Sequence, residues 1–260
     1  MTKLPLLLFS GFILLTNNPD HLSGCFHNSA QQPPVLSPVE VYYNMHKGDS
    51  LPSVCTGTEA GGTLEHAKML PFSGKNYRYF DTMSYVWGHA FMSDKMRNTL
   101  EASYAELETT APGRIFTYME TGLMNGGPIP GHRTHQNGRS IDLMVPLRKD
   151  TVPYYGLDTI GGDHYSLQFD DQGRLKTDST IHIDFELIGQ QILSLDKQAR
   201  KQGLHVKKVI LMLSLKPEFY ATKSGKKVKS KGIYFAMNLP EATDKQHDDH
   251  FHVDLEPITQ

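Results

Sequence analysis

Between Asp184 and Gly203 the chain repeats apolar residues at intervals of three and four: Phe185, Ile188, Ile192, Leu195 and Ala199. That period matches one face of an α-helix. Asp184 can cap its start, Lys197, Arg200 and Lys201 suit the negative end of a helix dipole, and Gly203 supplies the stop. A second helical period runs through Met96, Leu100, Tyr104 and Leu107, with Ser93 or Asp94 as cap and Pro112-Gly113 as terminator. Val206 to Leu213 reads as a buried strand. Tyr165 to Phe169 and Arg174 to Lys176 flank Asp170-Asp171-Gln172-Gly173, which predicts a hairpin turn. Two further stretches alternate with the period of a strand. In one, Ile141, Leu143 and Val145 share a face opposite Asp142 and Met144; in the other, Phe251 and Val253 oppose His250 and His252. Helices and strands mix without regular βα alternation and without internal repeats, which favours an α+β fold.

The two ends add compartment and boundaries. Lys3 precedes the apolar run Leu4 to Leu15, which is short for a membrane span and fits an export signal. Leu22-Ser23-Gly24-Cys25 has the form of a lipoprotein cleavage box, although the polar Thr16 to His21 separates it from the apolar run. Lipidation of Cys25 at a membrane face and simple signal cleavage both remain open, as does a Cys25–Cys55 disulfide in an oxidising compartment. We therefore divide the chain into a signal peptide at 1–24, a linker at 25–50, rich in Gln, Pro and Ser from Asn28 to Pro38, and a main domain at 51–260. With 260 residues, 38% hydrophobic and 21% charged, the chain has enough apolar content for one sizeable core. Its formal net charge of −2 gives no global field toward nucleic acid.

The candidate chemistry gathers at two places. The turn-rich segment Gly131 to Gly138 carries His132 and His135 and leads into the strand bearing Asp142; near the C-terminus, His247-Asp248-Asp249-His250-Phe251-His252 enters the second alternating strand. An acid directed into a structured site needs a compensating charge, and a metal ion supplies one. Three nitrogen and oxygen ligands with an open fourth position describe a catalytic zinc. His135, Asp142 and His252 would supply that set, leaving His250 as an outer-sphere acid or base, but alternation alone does not choose between the two strand histidines.

These residues resemble a known group. His135-x6-Asp142 with His250-x-His252 is similar to the metallopeptidases that include lysostaphin, the D-Ala-D-Ala peptidases and the hedgehog signalling domain. The wider strings Gly126-Gly127-Pro128, Gly131-His132-x-x-His135-Gln136-x-Gly138 and His247-Asp248-Asp249-His250-Phe251-His252 resemble the penicillin-insensitive murein endopeptidases, with weaker similarity at Leu70-Pro71-x-Ser73-Gly74 and Trp87-Gly88-His89. The resemblance spans about Leu51 to Leu255 and implies a small antiparallel sheet carrying a zinc site, flanked by helices, in an exported enzyme that cuts peptide cross-links of peptidoglycan. It assigns His135, Asp142 and His252 to zinc, His250 to catalysis and His247 to the substrate cleft. The alternatives are a D-Ala-D-Ala carboxypeptidase or dipeptidase with the same metal site, and a zinc-stabilised wall-binding module without turnover. The stretch from Asp158 to Ser179 matches nothing in that family.

Other features carry less. His132 stands three residues before His135 and could touch the site from outside the ligand set, bind a further metal, or be a solvent-facing turn residue. His182-Ile183-Asp184 forms another period-two pair, but Asp184 serves better as a helix cap. Ser194-Leu195-Asp196-Lys197 has the Ser-x-x-Lys spacing of penicillin-binding proteins, yet the helix phase sets it beside the buried stripe. The five lysines from Lys223 to Lys231 read as a solvated loop, or as a surface that meets wall-peptide carboxylates.

Overall fold

The computed structural model describes residues 35–259, and the expected signal segment and Cys25 lie outside them. The fold is α+β. Its central sheet has five strands, numbered along the chain: β3 (Tyr77–Tyr79), β4 (Phe116–Tyr118), β5 (Ser140–Met144), β10 (Leu204–Ile210) and β11 (His250–Pro257). They lie in the order β10-β11-β5-β4-β3, antiparallel throughout except for the pair β3/β4. A hairpin of β1 (Val54–Thr58) and β2 (Gly61–Glu65) stands apart. A four-stranded antiparallel sheet joins β7 (Val152–Tyr154), β6 (Leu147–Lys149), β9 (Asp178–Ile183) and β8 (Arg174–Leu175) in that order.

The two helices expected from periodicity form and pack on each other. Ser93 caps α3 (Asp94–Thr110) by accepting from the Met96 amide, and its apolar stripe Met96, Leu100, Tyr104 and Leu107 is buried. Asp184 caps α4 (Phe185–Lys201) by accepting from Leu187, and Ile188, Ile192, Leu195 and Ala199 turn inward. Against them lies the apolar side of the central sheet, with Ile141, Leu143, Val145, Phe251 and Val253 fully buried. Each such side chain contributes about 1.5–3 kcal/mol on leaving water. That packing fixes which face of β5 and β11 is turned to the polar side.

The structure departs from the sequence expectations in four places. The linker does not extend to residue 50, because α1 occupies Pro38–His46, and Val39, Tyr42 and Tyr43 pack on the core. Its start is a capping box, in which Ser37 accepts from the Glu40 amide while the Glu40 carboxylate accepts from the Ser37 amide. The Asp170 to Gly173 turn exists, closed by Phe169 against Leu175, but Tyr165 belongs to a 3-10 turn over Gly161–Ser166 rather than to a strand. Val206 to Leu213 is strand only to Ile210; Leu213–Leu215 is a 3-10 turn that leads into α5 (Lys216–Ala221). The lysine run is a helix, α6 (Lys223–Ser230), capped by Thr222 and packed on α4 through buried Val228. Two short helices, α2 (Thr82–Val86) and α7 (Glu241–Lys245), complete the described residues.

Candidate metal centre

The register of the central sheet brings the candidate residues together across 110 positions of sequence. In the β11/β5 pairing His252 lies directly opposite Asp142, with Phe251 opposite Leu143 and Val253 opposite Ile141 on the core side. His250, His252 and Asp254 thus share the polar face of β11, as period two requires. His252 Nδ1 lies 2.8 Å from Asp142 Oδ1, and its Nε2 lies 2.7 Å from Asp254 Oδ1. Asp254 also accepts from Ser140 Oγ at 2.7 Å and has the Lys208 ammonium at 3.0 Å.

The turn before β5 adds two more imidazoles. His135 Nε2 is 3.2 Å and His132 Nδ1 is 3.4 Å from Asp142 Oδ2. His132, His135 and Asp142 each offer one ligand atom, and these lie within 4.8 Å of one another, a group that could hold a metal ion. The His135 and His252 rings are 4.8 Å apart. The loop is pinned on both sides. Gln136 N–H donates to the Glu59 carbonyl in the β1/β2 turn, and Ser93 N–H donates to the Gly138 carbonyl. Gly138, at φ +72°, could not carry a side chain here, since a Cβ would meet Ser93 N at 2.9 Å and the Leu64 methyls. His135 itself sits in the left-handed region at φ 69°, uncommon for a residue other than glycine and the kind of local strain found at functional sites.

These residues fit a cation. Nitrogen–oxygen separations of 3.2 and 3.4 Å are about those between two ligands of one tetrahedral ion with bonds near 2.0–2.1 Å. His135 Nδ1 is buried without a hydrogen-bond partner, so Nε2 is the only ring nitrogen engaged. Burial alone would keep Asp142 protonated, but His135 and His252 outweigh it and hold its pKa well below the usual carboxylate range. Burial likewise opposes a charge on His252, yet Asp254 and Asp142, one on each side, raise its pKa to about 10. Two buried carboxylates bracketing one imidazole retain positive charge firmly, whether it comes as a proton or as a metal ion.

His250 and His247 stand beside this group without joining it. His250 Nδ1 donates to the Asp249 carboxylate, which fixes the ring and leaves Nε2 for the cavity. Burial lowers the His250 pKa, and the Asp249 carboxylate more than offsets this, so the net shift is upward. The His247 ring lies 4.8 Å from His250 and donates through Nδ1 to the Thr243 carbonyl; burial, then the neighbouring His250, push its pKa down to about 3. His132 is held down to about 4 by burial, against the pull of Asp142. All six histidine and aspartate candidates line one cavity of about 450 Å³, together with Arg133, Tyr165, Leu239 and Pro240.

Sequence reasoning missed the supporting shell. Asp249 orients His250, Asp254 orients His252, and the Tyr165 ring stands edge-on to His250 at 5.5 Å while its hydroxyl donates to buried Glu120. The unmatched stretch after Asp158 thus contributes Tyr165 to the cavity lining, and His164 ties it to the residue before the histidine strand by donating from Nε2 to the Asp249 carbonyl. Asp254 had a visible signal, since it continues the period-two row of His250 and His252. Tyr165 had none. Fold and site together define an α+β protein with a buried histidine–aspartate group that could hold a metal ion. No protein-family model matches the chain, and no curated protein matches it.

Proposed function

We propose that this protein is an exported zinc-dependent murein endopeptidase, hydrolysing peptide cross-links of bacterial peptidoglycan. The observation that carries the reading is the pairing of His252 with Asp142 across β11 and β5, with His135 beside Asp142 and His250 on the same strand face, all four lining one cavity. A metal ion there would be held by His135, Asp142 and His252. Asp254 favours His252 over His132 as the third ligand, because an Nε2–H donated to a carboxylate leaves Nδ1 deprotonated toward Asp142, the arrangement in which metal-binding histidines are commonly held. His132 is less buried and has no such second partner, which suits a residue at the edge of the site. The mixed nitrogen and oxygen donors suit zinc, and the bound ion would polarise the scissile carbonyl and ease deprotonation of water.

The chain's own residues would do the rest. His250, oriented by Asp249, presents Nε2 to the cavity, where it can take the proton of the attacking water and return it to the leaving amine. His247, kept neutral by burial and with Nδ1–H committed to Thr243, offers Nε2 as an acceptor for a peptide N–H. The Tyr165 ring lines the cavity edge-on to His250, where it can pack against a bound peptide. No side chain is required as a covalent nucleophile.

Digestion of purified cross-linked and uncross-linked muropeptides, followed by mass analysis, tests this. Cross-linked dimers should give monomers, and a chelator should abolish the conversion. Release of D-Ala from uncross-linked peptides alone would favour a carboxypeptidase, and wall binding without any product would favour a binding module.

A further inference from the structure

We infer that the outer face of α6 is an electrostatic docking surface for the carboxylate-bearing peptides of the wall polymer, separate from the cleft that cuts them. The inference rests on the proposed murein substrate and adds a second contact to it. Lys223, Lys226, Lys227, Lys229 and Lys231 are all exposed within nine residues, in a chain whose formal net charge is −2. Several lysines elsewhere find carboxylates, among them Lys197 with Glu106, Lys207 with Glu59, Lys208 with Asp254 and Lys245 with Glu241, and those left without one, such as Lys95, Lys176 and Lys201, are scattered singly. Among the described residues none of these five, four on α6 and Lys231 at its C-cap, finds a carboxylate. Lys229 has only the Tyr220 ring, 5.4 Å away.

Holding five like charges within nine residues costs self-repulsion; Lys227 and Lys229 suit the negative end of the helix dipole and Lys229 lies over Tyr220, but none of the five ammonium groups is neutralised by a carboxylate. The helix is secured by other means, namely the Thr222 cap, Val228 in the core, and the Glu186 carboxylate accepting from the Ser224 amide and hydroxyl. A local positive field of this kind attracts a polyanion. A membrane surface fits less well, because an interfacial helix needs an exposed apolar face. Here the one aliphatic side chain of α6, Val228, is buried, and the outward positions are lysine and serine.

The surface is also tied to the cavity. After Lys231 the chain runs along the edge of the central sheet, where Phe235 bridges Val209, and then supplies Leu239 and Pro240 to the cavity wall. Leu239 lies eight positions after Lys231, a span of at most about 29 Å. A polymer with many peptide carboxylates can therefore touch α6 and the cleft at once, and the second contact becomes effectively intramolecular.

The test uses the full chain with Lys226→Gln, Lys227→Gln and Lys231→Gln combined, leaving the cap, Val228 and Lys229 in place. Circular dichroism and thermal melting check that the variant is folded. Binding is read by co-sedimentation, with chelator present to prevent turnover. The probes are insoluble peptidoglycan sacculi, the same sacculi with carboxylates converted to neutral amides, and vesicles of equal parts phosphatidylcholine and phosphatidylglycerol. The triple variant should bind native sacculi about tenfold more weakly at low salt, roughly a factor of two per lysine, and wild type should lose the same increment at high salt or on amidated sacculi. Hydrolysis of small soluble muropeptides should be unchanged. Equal binding by wild type and variant, full binding to amidated sacculi, or tighter binding to the vesicles than to sacculi would each overturn the inference. Lysine-dependent binding to sacculi with no hydrolysis of soluble muropeptides would remove the enzymatic reading and leave the docking surface standing.

Discussion

Asp254 lies outside the ligand set, yet its replacement should weaken metal binding. Its carboxylate is fully buried, accepts from His252 Nε2 and from Ser140 Oγ, both at 2.7 Å, and neutralises Lys208 at 3.0 Å. Asp254→Asn preserves shape and an amide oxygen that can still accept from His252, but removes the negative charge that strengthens His252 as a ligand. Loss of such an orienting partner costs about 10- to 100-fold in metal affinity, or roughly 1.4–2.8 kcal/mol. Because the hydrogen bond survives, the asparagine variant should fall near the tenfold end. Asp254→Ala should approach 100-fold and also lower stability of the metal-free protein by about 1–3 kcal/mol, since a buried N–H and the Lys208 ammonium then lack a partner. Competition against a chromophoric zinc chelator measures the first quantity and denaturant unfolding in excess chelator the second. Wild-type zinc affinity in both variants would refute the assignment of His252 Nδ1 as a ligand supported from behind by Asp254.

The other expectations concern the histidines, a buried acid and a buried serine. His250→Ala should retain zinc by elemental analysis and lose kcat on cross-linked muropeptides by roughly 100- to 10,000-fold, whereas His252→Ala should lose zinc and activity together. His132→Ala should keep the metal; loss of zinc from His132→Ala but not from His252→Ala would make the three-residue group of His132, His135 and Asp142 the ligand set instead. Asp158 is raised to about 6, chiefly by burial and in spite of Arg78 at 3.5 Å. The unfolded carboxyl titrates near 3.9, so the folded form binds the proton more tightly and this group's contribution to stability falls as pH rises from about 4 to 6. Asp158→Asn should therefore raise stability at pH 7, by at most about 2–3 kcal/mol, with the gain vanishing at pH 4; an equal gain at both pH values in urea unfolding would contradict the cause given. Ser194 is buried with its hydroxyl donating to Glu106 at 3.1 Å, so incubation with penicillin should leave no acyl adduct by mass spectrometry and activity unchanged.

Much of the fold was legible where one local signal governs each element. Ser93 and Asp184 act as caps at both long helices, and the apolar stripes they introduce are the ones buried. Other elements depend on partners distant in sequence. The α6 segment, with its lysines, serines and glycine, has poor helical prospects alone and is held by α4 and Glu186, some forty residues upstream. The helix at Pro38 had a readable cue in the spacing Ser37-x-x-Glu40, outweighed by the Pro- and Gln-rich composition before it.

The candidate site was legible for a related reason, and its support was not. His135, Asp142, His250 and His252 each lie in a turn or strand whose character the neighbouring residues declare. Their meeting depends on register, and register is set on the opposite face of the sheet. Phe251 against Leu143 and Val253 against Ile141 lock β11 to β5 through the core, and a slip of one residue would turn His252 inward and a phenylalanine or valine outward toward Asp142. The polar row then inherits its geometry from apolar packing. Asp249, Tyr165 and Lys208 escape a sequence reading because nothing local requires them: one precedes the strand, one sits in a 3-10 turn, and one is brought level with Asp254 only by the irregularity between Val206 and Lys208 in β10. Such positions are chosen by what they orient, so they become visible only when the residue they orient already has a place.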